Sequence, residues 1–275
     1  MLPNQTQWDT FYRNVQAKSG LDLFQYKPGQ IQRRIMTMME TREVQTLDQF
    51  WKSLLADPNG MEWLLDKLAI NVSELFRNPE KWEEMRTQIL PLLLKKTSRI
   101  KAWSAGCSIG AEAHSLAVLF AEYFKGPHTI VGTDIDQAAL KQARDGTYKR
   151  NEVNAMPPAL RDKYFTGDDG EYTAKPEIKK FVSFKTGNLL ADRFDTGFDL
   201  IMCRNVVIYF TDECKDKLYR RFFDALKPGG ILFVGSTERI FGAQNIGFDQ
   251  KIPFFYQKPS ASNQSLGDTS WRTAS

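Results

Sequence analysis

The chain has 275 residues, 42% of them apolar and 25% charged, enough to bury a real core as one large domain or two small ones. A net charge of +4 is too mild to argue for nucleic acid, and no uninterrupted apolar run is long enough to span a bilayer. Cys107, Cys203, Cys214, His114 and His128 lack metal-ligand spacing, so neither a metal site nor a disulfide framework is expected. Met1–Thr10 is polar and does not read as a secretory signal, which makes the cytoplasm the expected location.

From Trp8 to about Phe76 apolar residues recur at helical spacing, as in Phe11/Val15, Ile31/Ile35/Met38, Phe50/Leu54 and Leu64/Leu65/Leu68. Ser19-Gly20, Pro28-Gly29 and Pro58-Asn59-Gly60 punctuate them, so a small helical domain is expected over 1–78. A connecting helix follows over 79–98, its apolar face made by Trp82, Met85, Ile89 and Leu93.

Beyond Thr97 strands alternate with helices, the pattern of a parallel sheet covered on both faces, and this second domain is assigned to 99–258. Strands are expected near Ile100–Ser104, Thr129–Thr133, Val182–Thr186, Phe198–Cys203 and Ile231–Gly235, with a closing strand over Phe248–Lys258. Helices are expected near Ala111–Phe124, Gln137–Asp145 and Asp212–Leu226, the last stopped by Lys227-Pro228-Gly229-Gly230. A small antiparallel insertion is expected over about 160–180, and 259–275 reads as a disordered tail.

The first strand runs into Gly106-Cys107-Ser108-Ile109-Gly110, a small-residue turn of the kind that brings a nucleotide-type cofactor close to the backbone. The same spacing also serves plain helix–strand packing. Asp134 ends the second strand, where a carboxylate accepts both protons of a ribose diol; the competing reading is that Asp134 or Asp136 caps the next helix. These features do not choose between a nicotinamide and S-adenosylmethionine.

Six blocks taken together resemble the CheR family of chemotaxis receptor methyltransferases. They are Asn71–Arg77 (NVSELFR), Trp103–Glu112 (WSAGCSIGAE), Gly132–Asp136 (GTDID), Gly187–Leu190 (GNLL), Cys203–Phe210 (CRNVVIYF) and Phe233–Glu238 (FVGSTE). The resemblance implies a class I S-adenosylmethionine-dependent methyltransferase. Its Rossmann-like α/β sheet carries a small antiparallel β-subdomain and is preceded by a small all-α N-terminal domain. It implies methylation of glutamate side chains on the cytoplasmic helices of chemoreceptors, with S-adenosyl-L-homocysteine as the second product.

On the same resemblance, Asn71, Ser73, Arg77, Gly106, Glu112, Asp134, Asn188, Leu189, Asn205 and Val206 surround the cofactor. Asp134 holds the ribose, Asn188 and Leu189 flank the adenine, and Arg77 and Tyr209 face the reacting sulfonium and the incoming glutamate. One block departs from the family pattern: Ile109-Gly110-Ala111-Glu112-Ala113-His114-Ser115 stands where Thr-Gly-Glu-Glu-Pro-Tyr-Ser is usual. With a hydroxyl and a charge gone from beside the site, weaker cofactor binding is expected.

A glutamate of unperturbed pKa about 4.3 is ionised at neutral pH and needs no general base. The enzyme's task is then positional, worth about 7–11 kcal/mol at most. Arg77 suits a carboxylate through its planar fork, provided it does not over-stabilise the ground state. Amine-directed nucleic-acid methyltransferases usually carry Asn/Asp-Pro-Pro-aromatic at the fourth strand, where this chain has Arg204-Asn205-Val206-Val207. A non-catalytic receptor-binding relative is the alternative reading.

On the second helix, Arg33 and Arg34 form a basic patch within a domain segment of 13 basic and 12 acidic residues from Met1 to Lys96. An ordinary solvated face is the competing reading; the resemblance implies that this helix meets the acidic methylation helices of the receptor, so the two arginines are expected to dock them. The short Asp168–Pro176 connection lacks the extra glycine-containing turn of peptide-binding relatives, so no binding of a receptor C-terminal pentapeptide is expected. A monomer without nucleic-acid partners or membrane insertion completes the expectation.

Overall fold

The computed structural model describes residues 2–68, 73–168 and 170–260. Asn71, and all of the expected tail except Pro259 and Ser260, lie outside the described residues.

Four helices open the chain: α1 (Gln5–Ser19), α2 (Pro28–Thr41), α3 (Leu47–Ala56) and α4 (Gly60–Leu68). Their ends follow local chemistry. Asn4 with Gln7 and Thr46 with Gln49 form capping boxes, and Gly20 ends α1 in the left-handed region. Trp8, Phe11, Val15, Ile35, Phe50 and Leu64 fill a core of the domain's own.

The connecting helix is a continuous rod in three pieces, α5 (Pro79–Glu84), a π-turn (Met85–Ile89) and α6 (Leu90–Leu94). Its Trp82, Met85, Ile89 and Leu93 pack into the core of the sheet domain rather than into that of the helical domain.

The sheet domain comprises β1 (Lys101–Ala105), α7 (Ala111–Tyr123), β2 (Thr129–Asp134), α8 (Gln137–Asp145), β3 (Thr147–Lys149), α9 (Pro158–Tyr164), β4 (Phe165–Gly167), β5 (Glu171–Ala174), α10 (Pro176–Lys179), β6 (Val182–Thr186), β7 (Phe198–Cys203), α11 (Asp212–Ala225), β8 (Leu226–Val234), α12 (Ala243–Ile246), β9 (Asp249–Ile252) and β10 (Phe255–Gln257). The large sheet runs β6-β2-β1-β7-β8-β10-β9; the first five strands are parallel, and β10 is antiparallel to β8 and β9.

Both faces of this sheet are buried, so its strands alternate between two cores rather than between core and water. Leu200, Met202, Ile231, Phe233 and Phe255 face the α7 side, while Ile201, Cys203, Leu232, Val234 and Tyr256 face the α11 side.

Three sequence expectations need correction. The single closing strand is a hairpin, β9 and β10, turned at Pro253-Phe254 with Phe254 at φ +76°. Lys227–Gly230 does not separate helix from strand: β8 starts at Leu226, and the run forms an irregular stretch where the pairing shifts between Phe198 and Leu200. The antiparallel sheet, of order β3-β5-β4, reaches back to Thr147, outside the expected 160–180 insertion.

A short strap joins the two domains. Tyr26 and Phe210 form an antiparallel bridge, with Lys27 N donating to the Tyr209 carbonyl and Thr211 N to that of Gln25, both at 2.9 Å.

Candidate active site

The strand order reverses between β1 and β7, and the crevice at that reversal is where a doubly wound sheet takes its ligand. Gly106 stands there at φ +74°, its amide and that of Cys107 donating to the Thr133 carbonyl at 2.8 and 2.9 Å. A Cβ on Gly106 would lie 2.6 Å from Val206 Cγ2, so only glycine lets the two strand ends close together. Gly110 serves packing instead, since a Cβ there would meet Phe184 and Ala143 at 2.7 and 2.8 Å.

Above this turn is a cavity of about 420 Å³, walled by the C-terminal edge of the sheet and roofed by the helical domain. Ser73, Arg77, Gly106, Glu112, Asp134, Asn188, Leu189, Asn205, Val206 and Tyr209 all border it. Arg33 and Arg34, read from sequence as a docking surface, border it too, from α2. Of the expected site residues, Asn71 alone is outside the described structure.

Asp134 and Asp136 divide the two readings of the second strand's end between them. Asp136 Oδ1 caps α8, accepting from Ala138 N and Ala139 N at 2.9 and 3.0 Å. Asp134 borders the cavity, with Oδ2 accepting from Ser108 N at 2.7 Å and Oδ1 from Asp136 N at 3.0 Å. The Ile135 amide acts on the same carboxylate, which leaves acceptor capacity for a ligand hydroxyl beside three backbone donors. Burial pushes this carboxyl above its ordinary range, and the backbone donors oppose the shift.

On the floor, Ser104 Oγ donates to Glu112 Oε1 at 2.8 Å, and Arg204 Nη1 lies 3.6 Å from Glu112 Oε2. Burial raises the Glu112 pKa and lowers that of Arg204, while the attraction between the two favours the ionised pair. Arg204 Nη2 donates to Arg77 O and Asn78 Oδ1, each at 3.0 Å, and Trp82 Nε1 donates to Arg77 O at 3.1 Å. The backbone carrying Arg77 is thereby fixed to the edge of the sheet.

At the mouth, Tyr209 sits in the field of the Arg34 and Arg77 guanidiniums; burial nevertheless raises its pKa, which leaves the hydroxyl protonated at neutral pH. Arg34 Nε donates to the Lys67 carbonyl, which ties α2 to α4 over the cavity. Of the six non-glycine residues at positive φ among the described residues, Phe76, Asn78, Ser108 and Asn205 cluster around this site. Each such residue costs about 1–3 kcal/mol, and that strain is concentrated where ligands are held.

The family models decide what kind of site this is: the all-alpha domain of the CheR methyltransferases matches residues 6–69, and their SAM-binding domain matches 71–252. The chain belongs to the CheR methyltransferase family. A chemotaxis protein methyltransferase of Listeria innocua is 36% identical over 250 residues, covering 90% of this chain and 95% of its own. One from Borreliella burgdorferi is 30% identical over 254 residues, with 87% and 89% covered. Chemotaxis protein methyltransferase 1 of Pseudomonas aeruginosa is 31% identical over 239 residues, with 82% and 87% covered.

S-adenosylmethionine is the cofactor of this CheR family enzyme, and the cavity residues fit it. Asp134 offers lone pairs suited to a diol, and Leu189 and Leu190 give an apolar wall. The Arg204 guanidinium is set against the carboxyls of Glu112 and Glu238, with the Arg77 guanidinium opposing them, so the floor is a mixed charge cluster. Arg204 Nε is buried without a hydrogen-bond partner, a donor beside the crevice.

The departure from the CheR pattern at Ile109–His114 lies elsewhere. Ile109 and Ala111 are buried in the core under α7 and do not border the cavity. His114 Nδ1 is 2.5 Å from the Tyr148 hydroxyl, which reaches the Ile109 carbonyl at 3.1 Å, so the block is repacked as core. The expected loss of a hydroxyl and a charge beside the cofactor has no counterpart in this geometry.

Sequence reasoning did not assign Arg204 or Tyr26 to the site, and both line the cavity. Arg204 carried a usable signal: it directly follows a fully buried strand, and a charge at the C-terminal edge of such a strand points toward the crevice. Tyr26 carried none, because only the strap to Phe210 brings it there.

Proposed function

We propose that this enzyme transfers methyl groups from S-adenosylmethionine to glutamate side chains on the cytoplasmic methylation helices of chemoreceptors. The product is glutamate 5-methyl ester, and the role is sensory adaptation. The observation that carries this reading is the charge at the entrance: the guanidiniums of Arg34 and Arg77 act on Tyr209 there, which favours an anionic side chain at the mouth, while Asp134 and the Glu112–Arg204 pair border the interior.

When bound, the cofactor supplies a sulfonium methyl group, whose transfer to a carboxylate oxygen leaves a neutral thioether and moves no proton. The protein's own residues orient. Arg77 presents a planar fork to the glutamate, and the neutral Tyr209 hydroxyl donates a hydrogen bond beside it. Ser73, Asn188, Leu189, Asn205 and Val206 line the space for the cofactor, and the helical domain roofs it. No general base is required, since the acceptor is already ionised at neutral pH.

Arg33, exposed on α2 at the rim, meets the acidic receptor helix, with Arg34 beside it. The protein acts as a cytoplasmic monomer. Among the described residues no helix is long and apolar enough to cross a membrane.

The decisive test is transfer of labelled methyl to chemoreceptor-containing membranes, with base-labile release expected for an ester. Cofactor binding without transfer would instead leave a non-catalytic relative.

A further inference from the structure

The run Phe233–Glu238 does not border the cavity, yet Glu238 at its end is only 4% exposed. β7 and β8 are paired up to Cys203 and Val234, so Arg204 and Gly235 leave the sheet side by side. Three residues on, the chain sends the Glu238 carboxylate back between them. Its Oε2 accepts from Gly235 N at 2.8 Å and from Asn205 N at 2.5 Å. Burial pushes this carboxyl above its ordinary range, and the backbone N–H groups of Asn205, Gly235, Ile208 and Val206 oppose the shift. A single buried carboxylate thus faces the backbone N–H groups of the turn after β7, an amide nest closed by the protein's own side chain.

The approach is close enough to dictate the neighbouring residue. A Cβ on Gly235 would lie 2.4 Å from Glu238 Oε2 and 3.0 Å from Asn205 N. What the carboxylate holds is the working turn itself. Asn205 sits at φ +60°, a conformation that needs outside support, and Val207–Tyr209 forms one 3-10 turn that delivers Tyr209.

We infer that Glu238 is a positioning residue for methyl transfer, its carboxylate clamping the Asn205–Tyr209 turn so that Asn205 and Val206 face the cofactor space and Tyr209 faces Arg34 and Arg77. The inference rests on the function proposed above. Both bonds end on Oε2, and Oε1 is buried without a hydrogen-bond partner. A glutamine therefore keeps one acceptor for Gly235 N and Asn205 N but loses the charge that roughly doubles the strength of such bonds, so Glu238→Gln weakens the clamp at constant size.

The test uses the full chain and three readouts. Hydrogen exchange of the amides from Asn205 to Tyr209 is expected to speed up at least about tenfold in Glu238→Gln, with the unfolding midpoint close to wild type. Turnover on receptor membranes is expected to fall about tenfold or more while the receptor KM changes little. In a Tyr209→Phe background the same substitution should cost much less, because both changes act through one turn.

Wild-type exchange and wild-type turnover in Glu238→Gln would overturn the inference, as would equal fold losses in both backgrounds. Should Glu238→Gln not fold, Gly235→Ala displaces the same carboxylate from the other side. Unchanged exchange and turnover in that variant would overturn the inference equally. A wild-type enzyme that transfers no methyl fails the functional reading, whereas an active wild type matched by Glu238→Gln fails only the role of Glu238.

Discussion

The backbone amide of Ser108 donates to Oδ2 of Asp134 at 2.7 Å, which ties the turn after β1 to the end of β2 across the mouth of the cofactor crevice. Asp134 braces the turn, and on the proposed function it also meets the ribose. Loss of a charge-assisted partner costs about 1.5–3 kcal/mol, which converts to roughly ten- to a hundredfold in affinity. Asp134→Ala is expected to fold and to bind S-adenosylmethionine that much more weakly. Asp134→Asn keeps one acceptor oxygen and should lose less. A calorimetric titration decides, and unchanged affinity in the alanine variant would remove Asp134 from the site.

Arg77 is held by its backbone, whose carbonyl takes bonds from Trp82 and Arg204, so its side chain can be removed without unmaking the segment. On the proposed function its partner is the substrate carboxylate, so Arg77→Ala is expected to lower turnover by more than it weakens cofactor binding. The comparison needs steady-state methyl transfer beside a binding titration. Collapsed cofactor affinity with near-normal turnover would reverse the assignment.

How far the sequence carries depends on where the information lies. Gly106 was legible as a turn that needs glycine, with ligand approach and plain packing both open, and its φ of +74° and close approach to Val206 show the need for glycine. Ile109 and Ala111 were misread for the opposite reason. Spacing along the chain put them beside the site, but the turn into α7 rotates them under the helix, where neighbours distant in sequence receive them. The roof was likewise hidden. Arg34 reads as a polar-face residue of an amphipathic helix, and only the packing of α2 against α4 turns it over the cavity. Local propensity locates elements; which polar groups end up sharing a space is a property of long-range packing.

His114 offers a test of that buried block. Burial holds its pKa down to about 3, so the folded protein keeps it neutral while the unfolded chain protonates it below about 6.5. The unfolded state then binds the extra proton, and stability present above pH 6.5 is lost as pH falls, by at most about 1.4 kcal/mol per unit. His128, also shifted down by burial, contributes with the same sign. Replacing His114 by leucine should therefore make the loss between about pH 6.5 and 5 shallower than in wild type, without changing cofactor affinity at neutral pH. Urea midpoints at the two pH values measure it, and identical slopes would show that His114 does not carry the effect.

The β-subdomain bears on how the substrate is captured. β4 and β5 are joined through Asp168–Gly170, and Gly167, at φ +143°, is so close to Glu171 that a Cβ would lie 2.0 Å from its carbonyl oxygen. β4 is an edge strand of only three residues and offers little backbone for an added strand. No complex with a pentapeptide from a receptor C-terminus is expected at micromolar concentration. A saturating fluorescence-anisotropy titration in that range would overturn this.

The two arginines of α2 were grouped by sequence, and the structure separates them. Arg34 is half-buried, bonded to the Lys67 carbonyl and close enough to Tyr209 to influence it. Arg33 is exposed at the rim of the same cavity. Charge reversal at Arg34 puts an anion where α2 meets α4 and beside Tyr209, so Arg34→Glu should impair turnover on any receptor fragment and lower the unfolding midpoint. Arg33→Glu disturbs nothing inside, and its effect should be confined to receptor encounter: unchanged cofactor affinity, a raised receptor KM and little change in turnover at saturation. Since exposed charges are screened beyond about 8–10 Å at physiological ionic strength, wild-type kcat/KM should fall as salt rises, and the fall should be shallower in Arg33→Glu. Methylation of receptor membranes across a salt series separates the two roles. A wild-type salt dependence retained in full by Arg33→Glu would place receptor docking on another face of the helical domain.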